Sequence, residues 1–183
     1  MKKVFIGLLI CIAIIIAILA VGFKIGNVTI GRTTETLKAD QKSGIEQSQF
    51  YQQYLNTNQL IVMNYWATWC QPCVAEMPEL NQVKDKYKNQ EIAFVSFSID
   101  TDSLKLAKFN HTKKFQFTDV TFENLPYKNA ILNFLENRPL DESISMQSIP
   151  VTYIIRNKKV LQKFDGTVEG AELIAAIDKA LKQ

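Results

Sequence analysis

Hydrophobic positions occur along this chain in two forms: one unbroken run at residues 4–23, VFIGLLICIAIIIAILAVGF, and then short runs and spaced stripes across residues 45–183. Between them residues 24–44 are polar and Thr-rich with scattered Gly, the composition of a tether, in which Val28 to Ile30 fit a short strand. Residues 45–55 fit a helix. Residues 60–67 (LIVMNYWA), bounded by a polar turn at 56–59, form the solid apolar run of a buried strand. Val74, Met77, Leu80, Val83 and Tyr87 then recur at helical spacing, predicting a helix that ends near Lys88. Residues 92–99 (IAFVSFSI) read as a second buried strand. Asp102 or Ser103 is placed to cap a helix running to about Lys113, and a short strand fits 118–122. Pro126 suits the first turn of a helix whose Ala130, Ile131, Phe134 and Leu135 share one face.

The C-terminal third is the clearest. Residues 151–155 and 160–164, separated by a turn at 156–159, predict an antiparallel hairpin. A closing helix carries Leu173, Ile174, Ile177, Ala180 and Leu181 as one apolar stripe, with Thr167 as its expected N-cap and Glu169 in its first turn. The order strand, helix, strand, helix, hairpin, helix predicts an α/β domain in which helices cover both faces of a mixed sheet. A chain of 183 residues has room for one such domain and an appendage.

The appendage is the 20-residue apolar run. At about 1.5 Å rise per residue its helix matches a hydrocarbon core of about 30 Å, so residues 1–23 predict an N-terminal membrane anchor formed by one transmembrane helix. Ala20-Val21-Gly22 offers a small-residue cleavage site, but the apolar region of a cleaved signal is shorter, roughly 7–15 residues, and the length favours retention. Cys11 lies inside the run. Ile10 stands before it where lipid attachment calls for a small residue, which favours a plain membrane thiol. Lys2 and Lys3 precede the span while Lys24, Arg32 and Lys38 follow it, so positive charge alone leaves the orientation nearly balanced.

Charge excludes one class of function. Residues 1–42 hold six bases against two acids, leaving 15 bases and 16 acids in the remainder. The folded part is nearly neutral and has no basic stripe interleaved with aromatics, so nucleic acid is set aside as a partner.

Beyond Cys11, the other two of the chain's three cysteines form a close pair, Cys70 and Cys73, in the segment NYWATWCQPCVAEMPEL. One close pair points to redox chemistry or metal binding rather than to a disulfide framework. The strand before it and the helix after it place Cys70 at a helix N-terminus, where unpaired N–H groups and the helix dipole stabilise a thiolate, the attacking species. Two intervening residues bring Cys73 within about one turn, close enough to close a disulfide, and Pro72 fits the first turn. Structural zinc needs four protein ligands, yet beyond the pair the soluble part offers a single His, His111, to which no role is assigned. Haem attachment needs His where Val74 stands.

The run WATWCQPCVAEMPEL resembles the active site of the TlpA/ResA-type thioredoxin-like thiol-disulfide oxidoreductases, and Ser148-Ile149-Pro150-Val151-Thr152 resembles the loop that carries their cis-proline. Pro78, five residues after Cys73, and the N-terminal anchor strengthen the likeness, which covers roughly residues 45–183. It implies a thioredoxin-like fold for residues 45–183, with a helical insertion at about 115–145, because 80 positions separate Cys70 from Pro150. The apolar stripe of that insertion favours a place in the core. It also implies that Trp69, Pro72, Ile149 and Pro150 form the surface a substrate chain meets. For Trp66 a core position is the expectation. Asn64 stands where the smallest thioredoxins carry a buried Asp and cannot exchange a proton. Glu76, which matches the acidic residue of the TlpA/ResA-type motif, is the candidate to take that role beside Cys70 and Cys73; the plain alternative is a solvated helix-surface Glu.

The function expected from the resemblance is protein-disulfide reduction without a cofactor, by a single-pass protein of the bacterial cytoplasmic membrane whose catalytic domain is extracytoplasmic (periplasmic). Its partners would be disulfide-bearing extracytoplasmic proteins, with apocytochrome c awaiting haem as one candidate, and a membrane thiol reductase as electron donor. A disulfide-forming oxidase and a binding or chaperone module with incidental cysteines are the alternatives. A peroxidase is less well supported, since the Pro-x-x-x-Thr-x-x-Cys pattern is absent.

Overall fold

The computed structural model describes residues 23–25, 28–30, 44–140, 142 and 148–183, in two units that divide at residue 42. In the first unit β1 (Phe23–Ile25) pairs antiparallel with β2 (Val28–Ile30). The strand at Val28 is as expected; its partner falls at the last residue of the expected span and the start of the tether. Residues 1–22, which hold Cys11 and the rest of that span, lie outside the described residues. Among the described residues no helix is long and apolar enough to cross a membrane.

The second unit is built around β3 (Leu60–Trp66), every residue of which is buried. It lies parallel to β4 (Ile92–Ser98), which pairs in parallel with the short β5 (Thr118–Asp119). On its other side β3 runs antiparallel to β6 (Val151–Arg156), and β6 forms a hairpin with β7 (Lys159–Asp165). The sheet is mixed, in the order β5-β4-β3-β6-β7. Strands covered on both faces carry solid apolar runs, and for this reason 60–66 and 92–98 could be read as buried.

Alternation along β3 divides the core. Leu60, Val62 and Trp66 pack with Met77, Leu80 and Val83 of α1 (Gln71–Lys86) and with Leu173 and Ile177 of α4 (Gly170–Ala180). Leu106 of α2 (Ser103–Lys113) joins the same cluster. Ile61, Met63 and Tyr65 point the other way, onto Phe50, Leu55 and the Ala130, Ile131 and Leu135 of α3 (Lys128–Leu135). Residues such as Trp66 and Ile131, wholly buried, each contribute on the order of 1.5–3 kcal/mol. The stripe at 128–135 therefore belongs to the core, as its periodicity indicated, although Phe134 of that expected face is only half-buried.

Three expectations need correction. Residues 45–55 are not one helix but a 3-10 turn (Ile45–Gln47) and a π-helical turn (Tyr51–Leu55). Ser48 separates them with extended backbone, its hydroxyl donating to Ile45 O (2.6 Å) and accepting from Tyr51 N (3.1 Å). The strand expected at 118–122 ends at Asp119, whose carboxylate accepts from Thr121 N (3.0 Å) and from the Thr121 hydroxyl, turning the chain into the 3-10 helix Phe122–Tyr127 that contains Pro126. Thr167 does not cap α4: its N-cap is Glu169, and the Gly170 N–H, which has no partner within the helix, is taken by Glu79 Oε1 of α1 at 2.7 Å. Asp102 caps α2 as expected, accepting from Lys105 N at 2.9 Å.

Candidate active site

The register of the sheet brings the motifs together. Tyr65 of β3 pairs with Val151 of β6, and Trp66 pairs with Ser98 of β4, so the residues after β3, after β4 and before β6 emerge at one end of the sheet. These are the segment leading to Cys70, the loop holding Asp100, and Ile149-Pro150.

Cys70 and Cys73 form a disulfide with Cα atoms 5.3 Å apart. Cys70 is the N-cap of α1: its backbone is extended (φ −81°, ψ 100°), and its sulfur accepts from Cys73 N at 3.2 Å. A helix N-terminus leaves N–H groups without intrahelical partners, and here one of them points at the sulfur that would carry negative charge after reduction. Pro72 is exposed in the first turn, where a missing N–H leaves no bond unmade. Cys70 retains 5% exposure and Cys73 none, which makes Cys70 the reachable sulfur.

The segment before Cys70 is held by a group that sequence reading missed. Asp100 is buried and accepts from Thr68 N (2.8 Å), the Thr68 hydroxyl (2.7 Å) and the Ser98 hydroxyl (2.6 Å). Burial alone would raise its pKa, but these bonds and the charge of Lys105 outweigh burial and hold it below the usual carboxylate value. The only sequence signal was an acid directly after a buried strand, which does not distinguish a clamp from a surface loop.

The two tryptophans separate as expected. Trp66 is fully buried, its ring 5.5 Å from Phe109 and 5.7 Å from Phe115, while Trp69 is 61% exposed beside Cys70. The Ile149–Pro150 peptide is cis, Pro150 is buried, and its carbonyl accepts from Gly166 N at 2.9 Å. Ile149 is half-buried against the cluster that contains both cysteines.

Glu76 is not a solvated surface residue. It faces inward from α1 with 5% exposure; its Oε1 accepts from Asn64 Nδ2 at 3.0 Å and its Oε2 from Val168 N at 3.3 Å. Asn64 Nδ2 also donates to Thr152 Oγ1 at 3.1 Å. Burial is the largest influence on Glu76 and, despite the two hydrogen bonds, raises its pKa to about 7. His111 is exposed in the last turn of α2.

This sheet order, with a cysteine pair capping a helix and a cis-proline opposite, defines a thioredoxin-like protein. Solved structures agree on the fold. StoA of Bacillus subtilis matches with a TM-score of 0.52 at 16% identity, over 67% of this chain and 84% of that one. A thioredoxin-family thiol:disulfide interchange protein of Chlorobium tepidum matches with a TM-score of 0.55 at 18% identity, over 68% and 81%. The AhpC/TSA family model matches residues 30–164, and the chain belongs to that family. Among curated relatives it is 28% identical to the thiol-disulfide oxidoreductase ResA of Geobacillus kaustophilus over 109 residues, 59% of this chain and 55% of that one. It is equally 28% identical to the thioredoxin-like protein YneN of Bacillus subtilis over 121 residues, 64% of this chain and 63% of that one. The match thus spans a little over half the length of these relatives.

Proposed function

We propose that this protein is a thiol-disulfide oxidoreductase that reduces disulfides of extracytoplasmic proteins through Cys70 and Cys73. The observation that carries the reading is the disulfide at the start of α1, with a helix N–H on the sulfur of the more accessible cysteine and the other cysteine fully buried. In the dithiol form the Cys70 thiolate attacks a substrate disulfide, forming a mixed disulfide and releasing one substrate thiolate, which takes up a proton. Cys73, deprotonated, then attacks the Cys70 sulfur. The Cys70–Cys73 bond forms, the second substrate thiol leaves, and two electrons have passed from the dithiol to the substrate. Glu76, three residues beyond Cys73 and with a pKa near neutrality, is the base that takes the Cys73 proton. Exposed Trp69 and Pro72, with the cis-peptide loop at Ile149-Pro150, form the surface on which the substrate chain rests.

The same reading places residues 4–23 across the membrane as an anchor, the catalytic domain on the extracytoplasmic side, and a membrane thiol reductase as the source of electrons. Apocytochrome c cysteines are one substrate class that this arrangement would serve. Direction is decided by redox titration of the Cys70–Cys73 couple against glutathione. A potential near about −270 mV supports a reductase, whereas one near about −120 mV would make the protein an oxidant instead.

A further inference from the structure

One polar group at the site is only half used. Asn64 sits in the middle of β3, almost wholly buried, and its Nδ2 donates to both Glu76 Oε1 and Thr152 Oγ1, yet its Oδ1 is buried without a partner. A buried carbonyl oxygen left unpaired costs on the order of 1–3 kcal/mol, so an ordinary packing role does not account for an amide here. The neighbours explain it. A carboxylate only accepts hydrogen bonds, a carboxylic acid also donates one, and a threonine hydroxyl does either. A carboxamide has two ends of nearly the same shape, one donating and one accepting.

We propose that Asn64 is a positioning residue for Glu76, its carboxamide giving N–H to the carboxylate and, turned over, C=O to the carboxylic acid. In the first orientation Nδ2 bridges Glu76 and Thr152, as observed. In the second, Oδ1 takes the same place and accepts from the Glu76 O–H and the Thr152 O–H; the Nδ2 hydrogens then stand where Oδ1 has no partner, so this orientation gains over the first only while Glu76 carries its proton. Glu76 can thus hold or release a proton with no movement of α1, and the amide changes in step with it. An aspartate at position 64 would repel the ionised form of Glu76, and an apolar residue would support neither form.

The surroundings fit this role. From α1 itself Glu79 adds negative charge, and the cysteine pair lies one turn toward the N-terminus. From the other elements packed on Glu76, β3 presents Asn64, β6 presents Thr152 and the loop before α4 presents the Val168 N–H, none of them charged. Asn64 is therefore the group best placed to make the ionised form tolerable in so buried a position. Thr152, two residues beyond Pro150, connects this proton site to the strand that carries the cis-peptide loop.

The inference rests on the reading of Glu76 as the proton partner of Cys73, and its test separates the two. In the full chain, the Glu76 side-chain carboxyl carbon and the Asn64 side-chain amide are followed by NMR from pH 5 to 9. The expected result is that both titrate with one midpoint; an Asn64 amide indifferent to the ionisation of Glu76 overturns the proposal. In Asn64→Ala both bonds are lost, and because the charge-assisted N–H bond to the carboxylate is the stronger of the two, the Glu76 midpoint should rise by roughly one unit. Resolution of the mixed disulfide at pH values below both midpoints should then slow roughly tenfold. An unchanged midpoint in Asn64→Ala also overturns it. The wild-type titration stands whether or not that variant folds. Should amide and carboxyl titrate together while Glu76→Gln exchanges disulfides at the normal rate, the catalytic reading of Glu76 fails and the positioning role of Asn64 survives.

Discussion

At the scale of single residues Glu76 carries two separable predictions. Its pKa rises from 4.5 to about 7 on folding, so between those values the folded chain binds a proton that the unfolded chain has lost. Below 4.5 both states are protonated and burial of the acid has no pH-dependent cost; as pH rises through 7 the cost becomes complete, about 3 kcal/mol. Glu76→Gln, which cannot ionise, should therefore gain stability over wild type as pH rises from about 4.5 to 8. Urea unfolding of the oxidised proteins at both ends of that range checks it, and a constant difference would show that Glu76 is solvated. The second prediction is kinetic. Glu76→Gln keeps the size of the side chain and loses the base, so it should slow resolution by about 10²-fold or more and flatten its pH profile. Stopped-flow reduction of a protein disulfide between about pH 5 and 9 reads both changes, and superimposable profiles would remove Glu76 from the mechanism. Sequence carried much of this. The cysteines, Pro150 and Glu76 were legible because each belongs to a local motif, and the inward face of Glu76 follows from its phase with Met77 and Leu80 on α1. The partner of Glu76 was not legible. Asn64 could be seen as an aspartate's replacement, but its bond to Thr152 spans 88 positions and exists only once β3 and β6 are paired.

At the scale of elements, hydrophobic period decided what could be read. The β3, β4 and β6 runs and the α1 and α4 stripes bury strong patterns and fell where expected; β7 also fell where expected, although only Phe164 of it is buried. The hairpin turn places Asn157 (φ 51°) and Lys158 (φ 59°) in the left-handed region, a signal muted by the absence of glycine. What could not be read were ends fixed by single side-chain hydrogen bonds, some to residues two or three positions away and one across the chain. Ser48 splits the segment before β3, Asp119 stops β5, and Glu79, 91 positions away, caps α4 in place of Thr167. The β3–α1 connection depends in the same way on Asp100 from beyond β4. Asp100→Ala removes three hydrogen bonds to a buried carboxylate and leaves Thr68 N and Ser98 Oγ without that acceptor. The expected loss is about 3 kcal/mol of stability, together with slower attack by Cys70 as its loop loosens. Chemical denaturation and the rate of mixed-disulfide formation measure the two effects, and wild-type values for both would mean that the loop is held by packing alone.

At the scale of the whole molecule, the family match spans residues 30–164, and the proposed anchor rests on the 20 apolar residues at 4–23. On the proposed reading the length of this run keeps the catalytic domain with the membrane, and its disulfide chemistry puts the domain on the side where disulfides persist. Protease added to spheroplasts should therefore digest residues beyond the span without lysis; protection, or recovery of a soluble mature form, would contradict the anchored topology. The central claim is narrower, that Cys70 attacks a protein disulfide and Cys73 resolves the product. The most direct measurement is trapping: reduced Cys73→Ser and Cys70→Ser full chains are each mixed with a disulfide-bonded protein, resolved on a non-reducing gel and mapped by mass spectrometry. The expected result is a stable adduct through Cys70 in Cys73→Ser, released by dithiothreitol, and no adduct in Cys70→Ser. An adduct through Cys73 in Cys70→Ser, or none in Cys73→Ser, would contradict the mechanism.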